Sequence, residues 1–215
     1  MIRTTDQLID KISQDRVWRR KELTELRANI QEHNGALRSR VLIRSAVAIL
    51  YSHWEGFVKI SSSYYLEFVA SQRLEHKNLA PNFLGLIIKS KFSKIDESKK
   101  ISGGNDLADF FCTKMDSRSN VPYKKIIDTQ SNLSSKVLLD ILRLLGLDES
   151  KFSTRLNFID KNLVNPRNHI AHGEYFDVTL EEYLKLHDDV ISLIELFRNE
   201  IENASVGRQF VRVDT

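Results

Sequence analysis

The sequence predicts an all-α protein: an antiparallel helical bundle with long early helices, an irregular helical insertion and a short helix set before the last long one. Three observations carry this. Only 3 prolines and 8 glycines punctuate 215 residues. Apolar residues recur at three- and four-residue spacing rather than in alternation, the signature of helical faces. Start and stop signals then bracket the periodic stretches. With 41% hydrophobic and 28% charged residues, the chain suffices for one domain with a full core. Residues 1–215 therefore read as a single domain, its core at about 5–75 and 132–204 and an insertion at about 76–131.

The first helix is expected from about Thr5 to His33, with Ile9, Ile12, Leu23, Leu26 and Ile30 inward. Its Arg16, Arg19, Arg20, Lys21 run reads as a solvated face, with an RNA or partner contact as the less favoured alternative. Asn34-Gly35 marks a turn. A second long helix follows, from about Leu37 to Leu74, and it is apolar on two faces. One stripe is Leu42, Ala46, Ile49, His53, Phe57 and Ile60, and its neighbour is Ile43, Val47, Leu50, Trp54, Val58 and Tyr65. A helix apolar on two faces belongs at the centre of a bundle. A third stripe, Arg44, Ala48, Tyr51, Glu55 and Lys59, is partly polar, and an intrahelical pair of Glu55 with Lys59 is expected there.

Residues 75–131 are less regular. Pro81 opens a helix through Phe83, Leu84, Ile87 and Ile88, and Asp106 to Met115 forms a second short one. Between them Ser93 to Asn105 is polar, lysine-rich and holds Gly103-Gly104, which suggests a mobile loop; Asp116 to Asn132 reads likewise. Cys112, the one cysteine, follows Phe110-Phe111 and reads as a small buried side chain rather than a nucleophile.

Regularity returns at Asn132. Val137, Leu138, Ile141, Leu142 and Leu145 make an apolar face, and Gly146-Leu147 suits a Schellman ending. Phe152, Leu156, Ile159 and Leu163 fit the next helix, which Pro166 is expected to break or kink at Val164 and Asn165. Thr179-Leu180-Glu181-Glu182 is a capping-box sequence opening the last helix, whose Leu180, Leu184, His187, Ile191, Ile194, Phe197 and Ile201 point one way. His187 on that stripe reads as a core or interface histidine. The tail beyond Ser205 is expected to be loosely held.

Asn165 to Gly173, Asn-Pro-Arg-Asn-His-Ile-Ala-His-Gly, is where chemistry concentrates. Asn165 is a good N-cap, Pro166 suits the first helical position and Gly173 the left-handed C′ position, so a helix of about two turns is expected. Asn168 and His172, four apart, share a face, and Arg167 has the reach to come over the same pocket. Arginine supplies a planar fork of donors, asparagine an amide, and histidine a group that gives or takes a proton near neutral pH. The spacing leaves a plainer reading open. A histidine before a helix-ending glycine also serves as a simple C-terminal cap, and an arginine after proline as a surface charge. Glu55 is a candidate to orient Arg167 or His172, ranked below its pairing with Lys59.

Other chemistries find little support. The six histidines, His33, His53, His76, His169, His172 and His187, show no metal-ligand spacing with cysteines or carboxylates. Gly103-Gly104 lacks the Lys-Ser/Thr that completes a phosphate-binding loop, so neither a metal nor another cofactor is expected. No apolar run is long enough to span a membrane, and the first residues lack a secretory apolar run, so a cytoplasmic location is expected. The net charge of +3 is too small to argue for nucleic acid. Residues 1–131, however, hold 22 basic and 15 acidic side chains against 10 and 14 in residues 132–215. That basic first part is a candidate source of phosphate contacts.

Arg167-Asn168-His169-Ile170-Ala171-His172-Gly173 resembles the signature of the HEPN superfamily, the higher eukaryotes and prokaryotes nucleotide-binding domains: arginine, a polar residue, a short spacer, histidine. Ala48-Ile49-Leu50-Tyr51-Ser52-His53-Trp54-Glu55-Gly56-Phe57-Val58-Lys59 resembles the early-helix Trp-Glu segment of the MAE-type branch, grouped with RiboL-PSP-HEPN ribonucleases. The resemblance implies a metal-independent endoribonuclease, a toxin or antiviral defence effector, with Arg167, Asn168 and His172 as catalytic residues. It implies RNA as partner and a homodimer whose two Arg-x4-His motifs form one composite site, with an antitoxin or other regulatory protein as a candidate partner. His169 ranks as an auxiliary. Glu174 stands where one toxin branch carries a modifiable tyrosine, which puts tyrosine-based regulation in doubt. The alternatives are a non-catalytic HEPN-like nucleotide- or RNA-binding module or dimeric adaptor, and an unrelated helical scaffold.

Overall fold

The computed structural model describes residues 1–32, 36–98, 103–130 and 132–213. Helices α1 (Thr5–Glu32), α2 (Ala36–Gln72), α3 (Pro81–Ser98), α4 (Gly103–Thr113), α5 (Ser135–Leu145), α6 (Leu156–Phe158), α7 (Asn165–Ala171) and α8 (Leu180–Val206) follow in order. A π-helical segment, Ile159–Val164, joins α6 to α7. Among the described residues the only extended pairings are isolated bridges, Glu75 with Arg118 and Leu79 with Val211. The Asn34-Gly35 turn lies outside the described residues.

α2 is the axis, packed by α1 and α8 and, on another side, by α5, α7 and the π segment. Its two apolar stripes make this possible: Ile43, Val47, Leu50, Trp54, Phe57, Val58 and Tyr65 are all buried. Phe197 of α8 stands at the centre, meeting Trp54 edge-on at 6.1 Å, Phe57 at 6.4 Å and Phe152 at 6.2 Å between ring centroids. Burying each such ring contributes about 1.5–3 kcal/mol, which makes this cluster the natural anchor of the bundle. The α8 stripe turns further toward Tyr183 and Val190 than expected, leaving Leu184 and Ile191 half-buried at its margin.

Cap chemistry sets the helix ends as the sequence reads. Thr179 and Glu182 form the full capping box at the start of α8. Gly146, at φ 71°, ends α5 in a Schellman motif: its N–H bonds the Arg143 carbonyl and that of Leu147 the Leu142 carbonyl. Asn82 of α3 donates to the Leu144 carbonyl at 2.8 Å, tying α3 to α5.

Several expectations are corrected. Helix occupies both sides of the expected loop at Ser93 to Asn105, since α3 runs to Ser98 and α4 starts at Gly103. Cys112 is exposed, because the inward residue of α4 is Phe110, set edge-on to His76 at 5.0 Å. Arg19 is not on a solvated face. It is buried against Gly56, whose missing side chain leaves room for the guanidinium, and it pairs with Asp15 through Nε to Oδ2 at 2.7 Å. The segment after α8 is docked: Phe210 is buried, its carbonyl accepts from the Ala80 N–H at 2.9 Å, and its ring meets Phe68 at 5.5 Å. One aromatic side chain thus fastens a terminus whose polar residues suggested fraying.

Candidate functional site

Pro166 does not break the helix it enters. Val164 and Asn165 both have right-handed helical dihedrals, and Asn165 is not an N-cap. Instead the turn before the proline widens, and the Asn165 N–H bonds the Asp160 carbonyl five residues back. In a regular helix the proline ring crowds the carbonyl four back and supplies no N–H; the π turn relieves both problems. The motif helix is therefore carried on a continuous helical segment. Asp160 also reaches across to α5, its carboxylate accepting from the Ser135 N–H at 2.8 Å and from the Ser135 hydroxyl at 2.5 Å. An anion suits that helix N-terminus.

The other end of α7 closes as a Schellman motif. Gly173 takes φ 74°, its N–H bonds the Ile170 carbonyl, and the Glu174 N–H bonds the His169 carbonyl. His172 is the C-cap, its N–H on the Asn168 carbonyl at 2.9 Å. Its side chain is exposed and has no hydrogen-bond partner among the described residues. That leaves both ring nitrogens available to a ligand.

Arg167 is held from three directions. Its Nη1 donates to Asn132 Oδ1 at 2.9 Å and to Asn168 Oδ1 at 3.0 Å. Its Cζ lies 5.3 Å from the centroid of the Tyr51 ring, so the flat guanidinium rides on an aromatic face. Asn168 thus orients the arginine through its oxygen, and its amide N–H donors have no partner among the described residues. Arginine offers five N–H donors in a planar fork, and the Nη1 pair is now spent. The Nε and Nη2 edge has no partner among the described residues and matches two phosphate oxygens.

Tyr51 itself is buried, and its hydroxyl accepts from the Leu133 N–H at 2.6 Å. Burial pushes the phenol well above its ordinary range; the Leu133 bond opposes this and the Glu55 carboxylate adds to it. Glu55 therefore sits beside Tyr51, and among the described residues it makes no ion pair with Lys59. The expected intrahelical pair is corrected: Lys59 is exposed, whereas Glu55 is half-buried beside Tyr51. His169 points elsewhere. Its Nδ1 contacts Glu174 Oε2, its ring stacks near-parallel on Phe176 at 6.1 Å, and Arg44 Nη2 holds the Glu174 carbonyl at 2.8 Å. These contacts brace the chain leaving the motif.

The sequence reading missed Tyr51 and Asn132. Tyr51 had a signal, since it lies on the partly polar stripe of α2 four residues before Glu55. Asn132 had none, being 35 positions from Arg167 and ahead of the apolar face of α5. A separate cleft of about 400 Å³ opens between α1 and α8, lined by Arg20, Arg27, His187 and Ile191 among others. Its Arg27 is already engaged, donating to Asp188 at 2.5 Å with His187 Nδ1 at 3.2 Å, and His187 is otherwise buried as a core histidine. The motif, with its unspent donors, is the better site. Among the described residues no three of His, Cys, Asp and Glu gather as a metal centre, and no helix is long and apolar enough to cross a membrane.

A scan of protein-family models matched the RiboL-PSP-HEPN family over residues 14–203. No curated protein and no solved structure matched the chain. The match runs from within α1 through nearly all of α8, taking in the Trp54 segment and the whole arginine-histidine helix. The chain belongs to the RiboL-PSP-HEPN family.

Proposed function

We propose that this protein is a metal-independent endoribonuclease, a cytoplasmic toxin or antiviral effector, working as a two-fold homodimer. The observation that carries the reading is the contrast within one short helix. Among the described residues Arg167 is fixed on one side and open on the other, while His172 is exposed and unpaired. RNA carries its own nucleophile. A base takes the proton of the 2′-hydroxyl, the 2′-oxygen bonds to phosphorus, the P–O5′ bond breaks, and an acid returns a proton to the 5′-oxygen. Two ends result: a 2′,3′-cyclic phosphate and a 5′-hydroxyl. Arg167 would take the phosphate oxygens as charge gathers on them, and Asn168 would add amide donors. His172 would take or give the proton. One imidazole cannot do both at once, so a symmetry-related pair completes the site.

The test is incubation of the purified protein with RNA in excess chelator, followed by identification of the product ends. Cleavage to cyclic phosphate and 5′-hydroxyl ends, lost in His172→Ala with the fold intact by circular dichroism, supports the reading. Cleavage that stops on chelation, or that survives in His172→Ala, overturns it. RNA binding without cleavage assigns the protein to the non-catalytic binding modules.

A further inference from the structure

We infer that Asn132 is a positioning residue of the site, one that acts on RNA only by fixing the guanidinium of Arg167. The inference rests on the ribonuclease reading above. Asn132 lies outside the motif, at the end of the connection that leads into α5, yet its Oδ1 accepts from Arg167 Nη1 at 2.9 Å. Asn132 and the residues that follow it are fastened by hydrogen bonds. The Asn132 N–H bonds the Thr129 carbonyl at 3.0 Å and the Ser134 N–H bonds the Asn132 carbonyl at 2.9 Å. Next to it, the Leu133 N–H is held by the buried Tyr51 hydroxyl at 2.6 Å, and Ser135 is held by Asp160 of the π segment. Ser134 then caps α5, accepting from the Val137 N–H at 3.3 Å.

The geometry of the guanidinium makes this matter. Asn168 is the neighbour of Arg167 in the chain and moves with it, so it cannot alone fix where the arginine points. Tyr51 supports the plane but leaves rotation within that plane free. Among the described residues Asn132 is the one hydrogen-bonding partner from outside α7, and with it the in-plane angle is set. The Nε and Nη2 edge is then presented in one direction before substrate arrives, which is the pre-organisation that electrostatic catalysis needs.

A double-mutant cycle tests this. Asn132→Ala should lower kcat/KM for RNA about 10- to 100-fold, the scale of a misplaced catalytic group. The same change placed in Arg167→Ala should lower it no further, because there is no arginine left to aim. A thermal midpoint within a few degrees of wild type should accompany Asn132→Ala. Wild-type rates in Asn132→Ala, or losses that multiply in the double variant, overturn the inference. Side-chain ¹⁵N NMR of Arg167 keeps it testable if wild type cuts no RNA, an outcome that would sink the ribonuclease reading alone. Slow rotation of the Arg167 guanidinium that becomes fast in Asn132→Ala supports the anchor, and rotation equally fast in both removes it.

Discussion

The guanidinium of Arg19 lies against Gly56, so closely that a Cβ on that glycine would stand 2.8 Å from Nη1. Arg19 is buried, pairs with Asp15 and donates to the His53 carbonyl at 3.3 Å, so it has little freedom to retreat. Gly56→Ala should therefore destabilise the protein by about 1–3 kcal/mol, the usual cost of overpacking a filled core. Urea denaturation measures it, and a change below about 0.5 kcal/mol would mean that the arginine relocates freely.

His53 gives the protein an acid-sensitive joint between α1 and α2. Burial lowers its pKa, with the nearby Arg19 acting the same way; Glu22, 3.2 Å from Nε2, and Asp15 oppose the shift. With the folded pKa below the unfolded value of about 6.5, the unfolded state binds the proton more readily. The stability contributed is full above about pH 6.5 and is lost as pH falls through the folded value. Urea midpoints measured from pH 7.5 to 5 should decline in wild type and decline less in His53→Gln. Equal slopes in the two proteins would assign the acid sensitivity to other groups.

The docked tail is a third test. Phe210→Ala should cost about 3 kcal/mol, since it empties a buried ring site between Phe68 and the start of α3. Proteolysis near residue 207 should rise in parallel. A loss under about 1 kcal/mol would show that the tail is held by its backbone bonds alone.

Much of the fold was legible because it is local. The Thr179–Glu182 capping box, the Gly146 and Gly173 endings and the twin apolar stripes of α2 are read within a few residues and recur in the structure. What failed depends on partners that the local pattern does not rank. Arg19 looks solvated until Gly56, far along the chain, is set opposite, and Glu55 looks paired with Lys59, four residues on, until the buried Tyr51, four residues back, is seen beside it. Pro166 looks like a break because a π turn cannot be foreseen from composition. The site divides the same way. Arg167, Asn168 and His172 announce themselves in seven consecutive residues, whereas Asn132 and Tyr51 reach the arginine only through tertiary structure.

Whether one cleavage event draws on both protomers is best measured by co-refolding wild type with His172→Ala at varied ratios and following RNA cleavage. If the two imidazoles share one scissile phosphate, only wild-type pairs cut, and an equal mixture should retain about one quarter of full activity. Retention of one half, with activity linear in the wild-type fraction, would show that each protomer works alone and would contradict the composite site.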